Sequence, residues 1–275
     1  MITTIMSDSN AYILGTDREE LDRLELQHKV WLSESKRGWT NAGFSKGQSI
    51  LDLGCGPGYC SLELADIVGL NGKIIALDRS EAFINHLNFV VNKSDLPIEP
   101  IQSDFDDMDL DDNSLDGMYC RWALAWVPNP KDVIGKIIKA LKPGGKMVFH
   151  EYFNWSNHQV FPEYKNLTRG IAAALTSFKE SDSEIDIGKY IPEYIASFGV
   201  NIISTRLIPK LASPNTDTWN WPVTFYKSYF PRLVEMGLLD QMVIHKAFDE
   251  LKELQNIPYA RIACPLMIEI VAEVK

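Results

Sequence analysis

The chain has 275 residues, 45% hydrophobic and 23% charged, enough apolar material for a sizeable core and a composition outside the disordered range. Its formal net charge of −10 and its lack of any basic run disfavour phosphate backbones, so no nucleic-acid partner is expected. No apolar run approaches a membrane span, residues 1–12 lack the basic start and apolar centre of a signal peptide, and four cysteines without a CxxC pairing predict reduced, buried thiols in a cytoplasmic protein with no metal site.

From the beginning of the chain, Thr16 to Glu19 reads T-x-x-E, a capping box opening a helix with Leu21, Leu24, His28, Trp31 and Leu32 on one face. Residues 43–47 break it, so 1–45 form an N-terminal helical cap and 46–275 the main domain. Ser49–Leu53 is a short apolar strand and Tyr59–Val68 a helix. Residues 73–77 form the second strand, and Ser80 caps the helix after it. Residues 100–103 and 115–120 are the third and fourth strands. Asn129 and Pro130 open a helix whose apolar face is Val133, Ile134, Ile137, Ile138 and Leu141, and Pro143-Gly144-Gly145 turns the chain into a strand over 146–150. This alternation predicts an α/β fold with a largely parallel sheet. Two helical insertions, about 153–199 and 209–260, flank a strand over 200–208. A final strand over 261–274 contains Pro265, which indicates an edge or a bulge.

The run Ile50-Leu51-Asp52-Leu53-Gly54-Cys55-Gly56-Pro57-Gly58-Tyr59 leads a strand through three alternating glycines into a helix. An ordinary tight turn needs fewer glycines; three of them let a ligand lie against the backbone, with Cys55 between the first two. The dinucleotide fingerprint is G-x-G-x-x-G, and Tyr59 stands where its third glycine belongs. Asp52 is an acid inside an apolar strand. It requires a charged or hydrogen-bonding partner, such as a ligand with ammonium and sulfonium groups or the loop's own amides, and it would repel a pyrophosphate. Asp78, at the end of the second strand, is placed to accept both ribose hydroxyls, with Arg79 either over the adenine edge or at the surface. Asp104 ends the third strand where an adenine amino group would lie, and Phe105 is placed to pack on the ring; the acids from Asp106 to Asp112 read as a solvated loop.

The sequence LDLGCGPG, then LD, SDF and LKPGG resembles the class I S-adenosylmethionine-dependent methyltransferases, in particular the small-molecule enzymes of the quinone and sterol type. The resemblance covers residues 46–152. It implies a Rossmann-like, seven-strand, mostly parallel sheet with an antiparallel last strand and helical cap segments. It also implies S-adenosyl-L-methionine as cofactor, S-adenosyl-L-homocysteine as product, and the backbone of Gly54, Cys55, Gly56 and Gly58 along the cofactor, with Asp78 on the ribose and Asp104 on the adenine.

Arg121, Trp122 and Trp126 follow the fourth strand and face the transferred methyl. Arg121 anchors the cofactor carboxylate, or an acidic substrate, or pairs with nearby aspartates. Trp122 and Trp126, four apart, shape an apolar acceptor pocket, with core packing the preferred reading for Trp126. Methyl transfer is an in-line displacement that needs a base only when the acceptor must lose a proton; His150 and Glu151, at the end of the fifth strand, are the candidates, and only one of them faces the crevice. The cluster Trp219, Trp221, Phe225, Tyr226, Tyr229 and Phe230 lines the pocket or fills the cap as core. A small-molecule methyltransferase is the resulting expectation. An NAD(P)-dependent oxidoreductase and a non-catalytic S-adenosylmethionine-binding protein are the alternatives.

Overall fold

The computed structural model describes residues 18–181 and 183–275, so Thr16 and residues 1–12 lie outside the described residues. The first helix, α1 (Arg18–Ala42), runs ten residues past Leu32. The α/β core follows as β1 (Ser49–Leu53), α2 (Tyr59–Val68), β2 (Lys73–Asp78), α3 (Glu81–Val91), β3 (Ile98–Gln102), β4 (Leu115–Arg121), α4 (Pro130–Ala140) and β5 (Leu141–Asn154). A short strand β6 (Gln159–Phe161) leads to α5 (Lys165–Glu180) and α6 (Ile191–Ser197). Then come β7 (Asn201–Ile208), β8 (Leu211–Ala212), α7 (Asp217–Glu235), α8 (Gln241–Gln255), β9 (Arg261–Ala263) and β10 (Leu266–Glu273).

The main sheet has seven strands in the order β3-β2-β1-β4-β5-β10-β7, with β10 antiparallel to both neighbours. This is the Rossmann-like arrangement expected. The region of the predicted last strand differs. It divides at Pro265, which has no N–H for a ladder: β9 joins β6 and β8 in a separate three-stranded sheet, and β10 lies inside the main sheet rather than at its edge. Asn129 makes no side-chain cap bond, and Pro130 alone opens α4; Ser80 does cap α3, accepting from Phe83 N at 3.3 Å.

The central strands are buried on both faces, as a parallel sheet covered by helices requires. In β1, Ile50 packs with Trp39, Leu64 and Val148 on one side, while Leu51 and Leu53 join Ile134, Ile137 and Phe149 on the other. Helix α1 packs against β5, β10 and α7, so it covers the sheet with its second half and meets the insertions with its first. Among the described residues no helix is long and apolar enough to cross a membrane.

Candidate functional site

The carboxyl ends of β1, β2 and β4 open into a crevice. Its walls include Asp52, Gly54, Cys55, Gly56, Asp78, Arg79, Asp104, Phe105, Arg121, Trp122 and Trp126, so eleven of the twelve residues expected to bind cofactor or substrate meet there. Gly58 is not on the wall: it closes the loop at the start of α2, its α-carbon against Leu87.

Gly54 and Gly56 have φ of 70° and 54°, the left-handed region that a side chain disfavours. Their surroundings differ. A Cβ on Gly54 would overlap the Cβ of Ala123, whereas one on Gly56, also in the crevice lining, would meet nothing within 4 Å. Gly54 therefore serves packing and Gly56 leaves room for a ligand.

Asp78 ties this loop to β2. Its Oδ2 accepts from Gly56 N at 2.8 Å and its Oδ1 from Ser80 N at 2.8 Å, leaving each oxygen a lone pair for a ligand. Burial pushes its carboxyl above the usual range, against the pull of these amide bonds. Asp52 is 2% exposed and accepts from Ser61 Oγ at 2.6 Å. Burial pushes its carboxyl up to about 6, opposed by the Ser61 bond and the charge of Arg121. It meets a hydroxyl rather than the loop amides, and its carboxyl stands on the crevice wall.

Arg121 does not pair with the loop aspartates among the described residues. Its Nη1 donates to Ser35 Oγ at 3.0 Å, and Ser35 Oγ lies 2.8 Å from Tyr119 Oη. Tyr119, a crevice residue that the sequence pattern did not single out, continues this chain to His150 Nδ1 at 3.1 Å. A tyrosine inside an apolar strand carries no motif, and only the contact with α1 reveals it.

The two candidate bases lie away from both cavity walls. The strand was expected to end at His150, but β5 continues to Asn154, which puts both residues mid-strand. His150 faces α1 and bonds Tyr119 and Glu269. Glu151 faces the opposite side and holds the post-β4 turn: its Oε1 accepts from Ala123 N at 3.0 Å and Leu124 N at 3.1 Å. Burial pushes its carboxyl up to about 7, and its Oε2 has no hydrogen-bond partner among the described residues.

A second cavity adjoins the crevice, and the two share Gln27, Trp122 and Trp126 as a common wall. It is lined largely by aromatic rings: Trp122, Trp126, Tyr152, Trp155, Phe178, Trp221 and Phe225. Trp126, read from sequence chiefly as core, therefore lines both spaces. The aromatic cluster of α7 divides by helix face: Trp221 and Phe225, four apart, face the chamber, while Trp219, Tyr226, Tyr229 and Phe230 are buried and absent from its lining. Trp122 is the hinge of the arrangement. Its φ is 57°, its ring stacks on Trp221 at 5.7 Å and on Tyr152 at 5.5 Å, and its Nε1 donates to Met267 Sδ at 2.6 Å. The left-handed backbone, costing on the order of 1 kcal/mol, is held in place by this packing.

Residues 44–192 match the family model described as a methyltransferase domain. The sterol 24-C-methyltransferase of Saccharomyces cerevisiae is 32% identical over 208 residues, 71% of this chain and 50% of the relative. The demethylmenaquinone methyltransferase of Lactococcus lactis is 31% identical over 140 residues, 50% of this chain and 53% of the relative. The chain thus spans about half the length of these curated relatives. A SAM-dependent methyltransferase from Aquifex aeolicus shares the fold, with a TM-score of 0.54 at 19% identity over 69% of this chain and 91% of that one.

Proposed function

The chain belongs to the methyltransferase-domain family, the class I S-adenosylmethionine-dependent enzymes, and from that premise we propose that it methylates a small, largely apolar acceptor held in the aromatic chamber. The observation that carries this reading is the common wall of Gln27, Trp122 and Trp126, which sets an acceptor chamber directly beside the donor crevice. The relatives are named for sterol and demethylmenaquinone acceptors, which agrees with an apolar chamber.

The crevice residues fit the cofactor. The backbone at Gly56 offers a ligand close approach, Asp78 would hold the ribose hydroxyls, and Asp104 with Phe105 the adenine. Asp52 suits the ammonium end, and Arg121, held by Ser35, suits the carboxylate of the same amino-acid moiety. When bound, S-adenosylmethionine supplies a methyl group made electrophilic by its sulfonium. The protein's own contribution is position and dryness: the shared wall aligns the acceptor, and aromatic rings exclude water from a reaction in which charge disperses. No side chain is assigned as a base, because His150 and Glu151 face away from both cavities.

Residues 18–42 and the two insertions form a cover over this site rather than a separate catalytic unit. Trp221 Nε1 on α7 donates to Gln27 Oε1 on α1 at 3.0 Å, and Lys29 pairs with Asp217 at 2.7 Å, joining the two parts of the cover. Cytoplasmic location is part of this proposal, resting on four free, buried cysteines.

Calorimetric titration tests the donor side. S-adenosylmethionine and S-adenosylhomocysteine are expected to bind and NADH not to; the reverse pattern overturns the proposal. Transfer of a labelled methyl group into a panel of hydroxylated and ketone-bearing polycycles tests the acceptor side.

A further inference from the structure

Gln27, on the common wall, is one-sided in what it offers a ligand. Gln27 accepts twice through Oε1, from Trp221 Nε1 at 3.0 Å and from Arg23 Nη1 at 3.3 Å. Indole and guanidinium groups can only donate, so the amide has a single orientation: oxygen toward these two, NH2 away from them. Arg23 is in turn clamped on Glu20, with Nε and Nη2 each 2.6 Å from a carboxylate oxygen, a buried pair that fixes the guanidinium from which Gln27 takes its bearing. What Gln27 has left for the common wall is its pair of N–H donors, which have no partner among the described residues.

The side chains of His158, Trp126 and Trp155 agree. His158 is spent: its Nδ1 lies 2.9 Å from Ala263 O and its Nε2 2.7 Å from Tyr226 Oη, so one ring nitrogen donates and the other accepts. The indoles of Trp126 and Trp155 offer only donors. No Asp or Glu stands in the chamber lining among the described residues, and the Arg23 guanidinium there is already paired with Glu20. Aromatic rings attract cations in general, but here no carboxylate on the chamber wall would neutralise one.

Building on the methyltransferase reading, we propose that Gln27 selects acceptors that carry an uncharged hydrogen-bond-accepting oxygen on an apolar ring, and disfavours amines. The amide donates to that oxygen at the boundary between chamber and crevice. The reacting end of the acceptor is thereby placed next to the donor.

Three bicyclic probes of one skeleton test this: indane, indanone and protonated aminoindane, titrated calorimetrically in the presence of S-adenosylhomocysteine. Wild-type protein is expected to bind indanone about fivefold more tightly than indane, the worth of one net hydrogen bond, and aminoindane more weakly than either. Gln27→Met is expected to bring indanone and indane to equal affinity. Gln27→Glu still accepts from Arg23 and Trp221 but turns an acceptor toward the site, so aminoindane is expected to become the preferred probe. Melting curves establish that each variant is folded. An unchanged indanone-to-indane ratio in Gln27→Met, or wild-type preference for aminoindane, overturns the assignment of Gln27. Binding of S-adenosylhomocysteine with no uptake of any probe overturns it too, by removing the chamber as an acceptor site while leaving the donor crevice standing. Loss of S-adenosylhomocysteine binding itself would instead sink the methyltransferase reading.

Discussion

His150 and Glu269 face each other in register on the adjacent antiparallel strands β5 and β10, with Nε2 3.0 Å from Oε2 and both side chains buried. Burial keeps the imidazole below its ordinary pKa, so the neutral ring donates from Nε2 to the carboxylate and accepts at Nδ1 from Tyr119. Burial would raise the Glu269 carboxyl, but His150 and Arg206 outweigh it and hold it at about 2.

Glu269→Gln should therefore destabilise the protein at neutral pH by roughly 2–3 kcal/mol, since Arg206 and His150 lose a buried charged partner. The sign with pH follows from the depressed value: the carboxylate stabilises the fold above its ordinary value of 4.5, and this contribution disappears as pH falls toward about 2. Urea denaturation of wild type and variant at neutral pH and in acid checks both parts; an equal gap at the two pH values would contradict the assignment.

Gly38→Ala should destabilise, against the usual direction of a helical glycine-to-alanine change. A Cβ there would lie 2.9 Å from His150 Cε1, 3.0 Å from Val148 Cγ1 and 3.1 Å from Glu269 Oε2, so α1 could not keep its approach to the sheet. A loss of about 1–3 kcal/mol is expected from overpacking. A rise in melting temperature would mean that α1 is free to shift.

Glu151→Gln is expected to preserve methyl transfer, because the residue lies outside both cavities. Its carboxyl is raised from 4.5 to about 7 in the fold, so in the wild type it favours the folded state below 4.5 and that advantage is lost as pH rises to about 7. The amide removes this loss, worth up to about 3 kcal/mol, while its oxygen still accepts from Ala123 and Leu124. Melting temperatures across that interval should fall less steeply in the variant; identical slopes, or inactivity with an intact fold, would refute the reading.

Gly56→Ala and Gly54→Ala should separate binding from folding. Both pay for a left-handed backbone, about 1 kcal/mol. Only Gly56→Ala leaves the core untouched, so it should fold and lose S-adenosylmethionine affinity, while Gly54→Ala collides with Ala123 and should lose melting temperature first. Normal binding by a folded Gly56→Ala protein would remove the loop from the donor site.

The donor side of the site was readable in the sequence because it is local. Gly54, Gly56, Asp78 and Asp104 sit at the ends of strands whose order follows from the alternation of apolar runs and helices, so one crevice at the carboxyl edge collects them. His150 and Glu151 were misplaced because the end of β5 depends on its pairing with β10, which extends it to Asn154. The proposed acceptor chamber depends on contacts across the chain: Gln27 meets Trp221 over 194 positions and Trp122 meets Met267 over 145. No periodicity on either segment encodes such a meeting, and for the same reason the aromatic cluster of α7 could be sorted only by seeing which face Trp221 and Phe225 present.

Trp122 stands in the linings of both cavities. With the two cavities as the proposed donor and acceptor sites, a side chain so placed enters two binding free energies at once, and the two affinities are expected to be coupled. Any adjustment of the stacked ring on occupation of one space changes the free energy of occupying the other, and by reciprocity the factor is the same whichever ligand arrives first. A substitution at Trp122 would thus register in the coupling between the two ligands, which a titration of either one alone does not measure.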